Sequence, residues 1–294
     1  MSNTPDRDIL FIINPTSGGG KKINWQEIIR DYFKQLSYHI HFFILSGTND
    51  GSAICDSIKK IQPQKVVAVG GDGTVTLVAR ELLNFSIPLA ILPAGSANGM
   101  ATELKIPQNS KEALDLILNG TEQKCDLIRI NEDQICIHLS DLGLNARIIK
   151  YYDKSAIHGI WGYARMLIKI LIEGKPVNSH IVADNFDTKV AAYMIVIANA
   201  TRYGTNAVIN PKGVIDDGKF ELVIVRKISV IEFLKMFISS KPFNPKKVEI
   251  FQTTKAKITT KRVTHFQIDG EYLGKINSVS AQIIPSAIKV MVPK

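Results

Sequence analysis

The 294-residue sequence predicts an α/β domain followed by a β-rich one, and three observations carry that reading. Unbroken apolar runs alternate with helical periodicity up to about residue 120. After Cys125 short strand-like segments dominate, set apart by turn dipeptides. The length also suits about two units of ~150 residues each.

In the first part, Leu10–Ile13, Val66–Val69 and Leu89–Leu92 are apolar throughout. Such runs suit strands covered on both faces, as in a parallel sheet. Trp25, Ile28, Ile29, Tyr32, Phe33 and Leu36 follow one face of a helix, with Asn24 and Glu27 as a capping box at its start. Val75, Val78, Ala79, Leu82 and Leu83 repeat the pattern, as do Ala113, Leu114, Ile117 and Leu118. This alternation predicts a doubly wound α/β domain over 1–127.

From 128 to 285 the expected strands are Ile128–Ile130, Ile135–Leu139, His180–Ala183, Val190–Ala198, Phe220–Val225, Val248–Thr253, Ala256–Thr260, His265–Ile268 and Val279–Ile284. Asp-Asn at 184–185 and Asp-Gly at 217–218 and 269–270 mark turns between some of them. One long helix is expected over Ile157–Ile172. Its polar and glycine positions, His158, Gly162, Arg165 and Lys169, form one narrow stripe on an otherwise apolar surface. Such a helix is buried on several sides, or lends part of its face to an apolar substrate groove or a membrane surface. No internal repeat is evident.

Composition excludes several classes. With 45% apolar and 21% charged residues the chain can bury a core, which excludes disorder as its main state. Its 20 Gly, 12 Pro and 3 Cys fit neither collagen nor a disulfide scaffold. Cys55, Cys125 and Cys136 form no CxxC or Cys/His cluster, which fits a reducing cytoplasm and argues against structural zinc. The longest nearly apolar run, Val190–Ala200, is shorter than the ~20 residues a bilayer requires. The first ten residues carry early charges and no apolar core, so no secretory signal is expected. Lys and Arg exceed Asp and Glu by 36 − 27 = 9. That surplus suits an anionic partner, or serves solubility alone.

Chemistry concentrates where the three apolar runs enter glycine-rich loops: Asn14-Pro-Thr-Ser-Gly-Gly-Gly20, Gly70-Gly-Asp-Gly-Thr74 and Pro93-Ala-Gly-Ser-Ala-Asn-Gly99. In a parallel sheet all three reach one carboxyl edge, where ligands of open α/β sheets bind. Glycines let the backbone approach closely, and the helix N-termini that follow favour anions. One such loop alone is an ordinary strand-to-helix turn; three of one grammar point to phosphate. Neither GxxxxGK[ST] nor GxGxxG occurs, which weakens the Walker and Rossmann readings. Asp72 sits among glycines where phosphate would repel it unless a cation intervenes. It therefore suggests Mg²⁺, or else a helix cap. Asp216-Asp-Gly218 and Asp269-Gly-Glu271 read on their own as hairpin turns.

Taken together, Val69-Gly-Gly-Asp-Gly-Thr74, Leu92-Pro-Ala-Gly-Ser-Ala-Asn98, Asn14-Pro15, Ile215-Asp-Asp-Gly218 and Ile268-Asp-Gly-Glu-Tyr-Leu273 resemble the diacylglycerol kinase catalytic-domain family. That family includes soluble bacterial lipid kinases, sphingosine kinases and ceramide kinases. The match in order and spacing spans nearly the whole chain.

The resemblance implies a phosphofructokinase and NAD-kinase type of nucleotide domain, a C-terminal β-sandwich that takes the lipid, and ATP in the cleft between them. It also implies that residues 286–294 return to the first domain. Gly70, Gly71, Asp72, Gly73 and Thr74 would hold the phosphates, with Asn14, Ser46, Ser96 and Asn98 contributing. Ser46 stands where many relatives have Thr. Asp217 would bind a Mg²⁺ that pins the second domain, with the carbonyls of Val214 and Lys219 as co-ligands. Glu271 matches the general base, and a glutamate in its ordinary titration range can accept a proton at neutral pH.

One position departs from the family. Many bacterial members carry Asp where this chain has Gly99, and that Asp joins the magnesium-water network; sphingosine kinases also carry a small residue there. The expected partners are ATP, a lipid alcohol, an anionic membrane surface and, as a candidate, a second copy of the chain. No nucleic acid is expected, since no recognisable module accompanies the charge. Residues 241–262 hold Lys241, Lys246, Lys247, Lys255, Lys257, Lys261 and Arg262 against the single acid Glu249. They form either a solvated strand face or a docking patch at up to ~1 kcal/mol per basic residue. The expected protein is a cytoplasmic, peripherally membrane-associated lipid kinase. An NAD kinase, and a nucleotide- or lipid-binding protein that has lost catalysis, are the rival readings.

Overall fold

The computed structural model describes residues 7–18, 23–144, 146–147, 175–202, 207–229, 231–232, 235–236 and 242–294. The apolar helix expected over 157–172 lies outside the described residues, as do Gly19, Gly20 and Lys241. The chain forms two compact units, Met1–Cys125 with Ser286–Lys294, and Asp126–Pro285.

The first unit carries strands β1 (Asp8–Ile13), β2 (His39–Ile44), β3 (Lys65–Gly70) and β4 (Leu89–Pro93). Helices α1 (Trp25–Phe33), α2 (Asp50–Ile61), α3 (Asp72–Leu82), α4 (Gly99–Glu103) and α5 (Ser110–Asn119) complete it. The strands are parallel in the order β2-β1-β3-β4, and Val290 near the chain's end pairs in parallel with Leu89. The chain lays β2 on one side of β1 and β3 on the other, so the order reverses between β1 and β3. Their carboxyl ends therefore flank a topological switch point. The unbroken apolar runs become strands buried on both faces: Leu10, Phe11, Ile12, Val66, Val67, Val69 and Leu92 are at most 1% exposed.

The capping box of α1 forms with altered wiring. Asn24 Oδ1 accepts the Glu27 N–H at 3.3 Å, while Asn24 Nδ2 donates to the Glu27 carboxylate at 3.0 Å. The buried stripe narrows to Trp25, Ile29 and Phe33, and Ile28 stays exposed. Phe33 meets Phe11 edge-on at 5.7 Å.

In its described residues the second unit is mostly β. It contains β6 (Gln134–Cys136), β7 (Leu139–Gly143), β8 (Val177–Ala183), β9 (Phe186–Ala192), β10 (Met194–Ala198), β11 (Phe220–Val225), β12 (Val248–Thr253) and β13 (Lys255–Ile268). It also takes the later part of β5 (Thr121–Ile130) and the earlier part of β14 (Glu271–Val292). The antiparallel order is β12-β11-β10-β7-β13-β14, with the β8-β9 hairpin on β13 and β5 on β14. β13 serves two neighbours along its length. Residues 256–260 pair with β8 and residues 266–268 with β7, and a register shift lies between Thr259 and Thr264. Phe220, Leu222, Ile258, Phe266 and Ile181 fill the core beneath.

The single strand expected at 190–198 is two. Ala192 pairs with Val177 of β8, while Met194 pairs with β7 and β11. Tyr193 makes the crossing, receiving the Leu144 N–H at 3.0 Å and donating to the Val225 carbonyl at 2.8 Å. Gly143 permits it. Its φ is +107°, and a Cβ there would sit 2.5 Å from the Tyr193 oxygen.

Candidate functional site

The glycine loops after β1, β3 and β4 gather at the carboxyl edge of the parallel sheet, and specific bonds stitch them together. Asn14 donates its N–H to the Val69 carbonyl at 3.0 Å, and its Nδ2 reaches the buried Thr74 Oγ1 at 3.2 Å. The same side chain accepts the Thr16 N–H at 3.0 Å, closing its own loop. Ala94 N–H donates to the Gly70 carbonyl at 2.9 Å. Gly71 and Gly95 then meet backbone to backbone: a Cβ on Gly71 would lie 3.2 Å from the Gly95 Cα, and one on Gly95 would overlap the Gly71 Cα. Gly70 is closed in by the Thr74 side chain. Gly18, at φ +97°, faces the Ala94 oxygen.

Asp72 opens α3, with Gly71 as its N-cap, and Gly73 is exposed in the first turn. The Asp72 carboxylate reaches across to the next loop. Oδ2 accepts the Gly99 N–H and Oδ1 the Met100 N–H, both at 2.9 Å. It thus caps α4, where the sequence suggested either a metal ligand or a cap on its own helix. Asn98, in the left-handed region at φ +49°, turns its amide back on Gly95, accepting its N–H at 2.8 Å and donating to its carbonyl at 3.0 Å. Ser96 stays exposed at the loop tip. The first two N–H groups of α3, at Asp72 and Gly73, precede any intrahelical acceptor, whereas the Thr74 N–H donates to the Gly71 carbonyl at 3.0 Å; with the helix dipole the first two favour an anion at this edge.

Ser46 follows β2 at the same edge, since Leu45 N–H bonds the Ile13 carbonyl at 2.8 Å. Its hydroxyl and N–H both bond Asp50 Oδ1, at 2.8 and 2.9 Å, and Gly47 N–H bonds Oδ2. The Ser46 N–H, followed by the Ser46 hydroxyl and the Gly47 N–H, holds the Asp50 carboxyl below its ordinary range.

In the second unit Asp217 and Lys219 are exposed, and Val214 is 46% exposed. Asp217 Oδ1 accepts the Lys219 N–H at 3.0 Å, and Oδ2 accepts Gln252 Nε2 at 3.1 Å. The loop is pinned from below by Asp126, which the motifs did not single out. Its buried carboxylate accepts the Gly218 N–H at 2.6 Å, and its own N–H donates to the Ile215 carbonyl at 2.7 Å. Beside them Glu221, bonded by Gln252 at 2.9 Å and Asn210 at 2.6 Å, titrates above its ordinary range because burial outweighs those two bonds. The dipeptide at 217–218 is therefore an anchored loop, whereas 269–270 is a true hairpin turn.

That hairpin joins β13 to β14 with Ile268 opposite Glu271. Asp269 and Gly270 both have positive φ, +48° and +89°, the pattern of a two-residue hairpin. The Asp269 carboxylate accepts the N–H groups of Ile137, His138 and Leu139 at 2.9, 2.9 and 3.0 Å. Its own N–H donates to the Leu139 carbonyl at 2.9 Å. Cys136 Sγ adds a contact at 3.3 Å, and burial, then the Asp269 charge, pushes that thiol far up in pKa. The turn anchors a half-buried Asp269 and leaves Gly270 and the Glu271 side chain exposed.

Among the described residues no group of three or more His, Cys, Asp or Glu side chains is arranged to hold a metal. The oxygen donors at the Asp217 loop nevertheless fit Mg²⁺. One carboxylate and peptide carbonyls are hard ligands, Asp217 keeps a lone pair on each oxygen, and an exposed site lets water complete the shell. The same holds at Asp72, where each oxygen accepts one N–H. Among the described residues no helix is long and apolar enough to cross a membrane.

Comparison with known proteins extends these observations. Residues 8–130 match the family described as the diacylglycerol kinase catalytic domain. Residues 140–292 match the YegS C-terminal NAD kinase beta sandwich-like domain. A Klebsiella pneumoniae (strain 342) protein named "Probable lipid kinase YegS-like" is 27% identical over 259 residues, 86% of each chain. An Escherichia coli O6:K15:H31 protein named "Probable lipid kinase YegS" is 28% identical over 261 residues, again 86% of each. The crystal structure of a diacylglycerol kinase from Bacillus anthracis str. Sterne shares the fold, with TM-score 0.74 over 97% of both chains at 18% identity.

Proposed function

This chain belongs to the family that joins a diacylglycerol kinase catalytic domain to a YegS-type β-sandwich, and from that membership we propose that it transfers the ATP γ-phosphate to a lipid hydroxyl with Mg²⁺ and Glu271 as general base. It is an ATP-dependent lipid kinase. The observation that carries the mechanistic reading is the stitched edge, where the glycine loops after β1, β3 and β4 are bonded to one another at the carboxyl ends of the parallel strands, with the N-terminus of α3 among them.

Phosphoryl transfer needs positioning, charge neutralisation and an oriented nucleophile more than covalent chemistry. Gly70–Thr74 holds the phosphates, with Asn14, Ser46, Ser96 and Asn98 around them. Asn14 and Asn98 act mainly by shaping their loops, since their amides are spent on Thr16, Thr74 and Gly95. Asp72 would hold a Mg²⁺ that would supply charge neutralisation beside the phosphates, and Asp217 with the Val214 and Lys219 carbonyls would hold a Mg²⁺ that pins the second domain. The exposed Glu271 accepts the proton of the attacking hydroxyl. The substrate is a lipid alcohol of the diacylglycerol or sphingoid type.

The enzyme works at an anionic membrane surface. Lys246, Lys255, Lys257, Lys261 and Arg262 are exposed. The one acid of that stretch, Glu249, is neutralised by Arg226 at 2.6 Å. The stretch thus keeps a net positive charge, although Lys255 lies beside the Asp184 carboxylate.

The test is transfer of labelled γ-phosphate from Mg·ATP to diacylglycerol, monoacylglycerol, ceramide, sphingosine and NAD, with Asp72→Asn and Glu271→Gln beside the wild type. Labelled lipid that disappears in both variants supports the reading and names the substrate class. Label in NAD alone refutes it in favour of an NAD kinase. ATP binding with no labelled product in the whole panel refutes it in favour of a non-catalytic binding role.

A further inference from the structure

Behind the Asp269–Gly270 turn lies a buried hydrogen-bond chain that no sequence motif includes. Gln267 is 1% exposed and Asp141 fully buried, and the two pair in register across β13 and β7. Gly270 N–H donates to Gln267 Oε1 at 2.7 Å. Gln267 Nε2 donates to Asp141 Oδ2 at 2.5 Å. Asp141 Oδ1 accepts the Ala146 N–H at 2.8 Å, and Ser140 Oγ fixes the Gln267 carbonyl at 2.7 Å.

The donors converge on Asp141: Gly270 donates to Gln267, Gln267 donates to Asp141, and Ala146 donates to Asp141 from the other side. An amide side chain has a donor end and an acceptor end, whereas a carboxylate only accepts. Asp141 therefore dictates that Gln267 turns its NH₂ inward and its oxygen toward Gly270. Apolar side chains could fill the same interior space without the desolvation that a buried carboxylate suffers. The polar pair instead fixes the orientation of the peptide next to Glu271.

We propose that Asp141 and Gln267 are positioning residues, which orient the Gly270 peptide and through it the Glu271 carboxylate toward the lipid hydroxyl. This inference rests on the reading of Glu271 as the base. The experiment separates the two.

Asp141→Asn keeps the shape and the acceptor for Ala146, but sets an NH₂ against the Gln267 NH₂. The Gln267 amide must turn, and its donor end then faces the Gly270 N–H. The double variant Asp141→Asn/Gln267→Glu restores the pattern at unchanged net charge. The carboxylate then at position 267 accepts both from the amide at position 141 and from the Gly270 N–H.

The expected result is a fall in kcat of about 10–100-fold in Asp141→Asn, with KM for ATP within about twofold, and recovery to within about threefold of wild type in the double variant. Selective ¹³C′-Asp/¹⁵N-Gly labelling isolates the Asp–Gly peptides and reports Gly270 without reference to activity. Its resonance should shift in Asp141→Asn and return in the double variant. Thermal unfolding is recorded for all three proteins.

A shifted Gly270 resonance with unchanged kcat overturns the positioning role, and so does a double variant that regains resonance and stability while kcat stays low. Glu271→Gln runs in parallel. Retained transfer there refutes the base reading alone, because the Gly270 resonance still tests the relay.

Discussion

The Asp72 carboxylate accepts the Gly99 N–H at 2.9 Å, so the glycine loop after β3 is tied to the glycine loop after β4. With Met100 on its other oxygen, both oxygens are committed to main-chain donors. Asp72→Asn replaces one acceptor by an NH₂ that faces an N–H. The expected cost is about 1–2 kcal/mol, as for loss of a helix cap. Calorimetry should show a lower Tm, and ATP titration a weaker Kd, together with the loss of transfer expected from removing this charge.

The close approach of Gly71 and Gly95 sets the spacing of the same two loops. A methyl group on Gly95 collides with backbone, which cannot swing aside as a side chain end can. Gly95→Ala is therefore expected to destabilise by about 1–3 kcal/mol. It should raise the Kd for ATP more than Gly73→Ala does, because Gly73 is exposed. Equal ATP affinity in the two variants would refute this account of the loop spacing.

At the Asp217 loop the expected phenotype is one of metal demand. Asp217→Ala removes the proposed carboxylate ligand and the acceptor for Lys219 N–H and Gln252. Asp126 still anchors Gly218 in that variant. The fold should persist by circular dichroism, while the Mg²⁺ concentration giving half-maximal transfer rises about tenfold or more, as expected when an ion loses its anionic ligand. An unchanged Mg²⁺ curve would place the metal elsewhere.

Much of this geometry is legible in the residues. The apolar runs at 10–13, 66–69 and 89–92 announce β1, β3 and β4 because both faces of those strands are buried. β2 is not legible. As the edge strand HIHFFI it is only partly covered, and its histidines break the run, one of them meeting Asp8 at 2.5 Å. The three glycine loops and the Asp-Gly turn at 269–270 can be read from composition, because tight turns restrict residue choice. Their anchors cannot. Asp269 bonds residues about 130 positions away, and Asp126 holds a loop 92 positions on. A lone buried Asp in a strand carries no local signal of a partner that only tertiary structure supplies. Ser46 shows the converse, since a motif position is engaged with the neighbouring Asp50, the first residue of α2.

The Asp184 turn predicts a pH dependence of stability. Asp184 follows β8, and its Oδ2 accepts the Thr254 N–H at 2.7 Å, the Thr254 hydroxyl at 2.8 Å and the Thr253 hydroxyl at 2.9 Å. It thereby ties the β8–β9 hairpin to the β12–β13 connection. The Thr254 N–H is the largest influence, followed by the Thr254 hydroxyl, and together with Thr253 and Lys255 they lower the Asp184 pKa from 3.8 despite slight desolvation. Because the folded pKa lies below the unfolded one, the stabilisation is fully present above the unfolded value. It is lost as pH falls through the folded value. Asp184→Asn keeps an acceptor but has no such titration. The Tm difference between wild type and Asp184→Asn should therefore be constant from about pH 6 to 8, shrink below about pH 4, and be smallest near about pH 2. Melting curves across that range decide it, and a gap that widens on acidification would mean that the ionised carboxylate does not stabilise this turn.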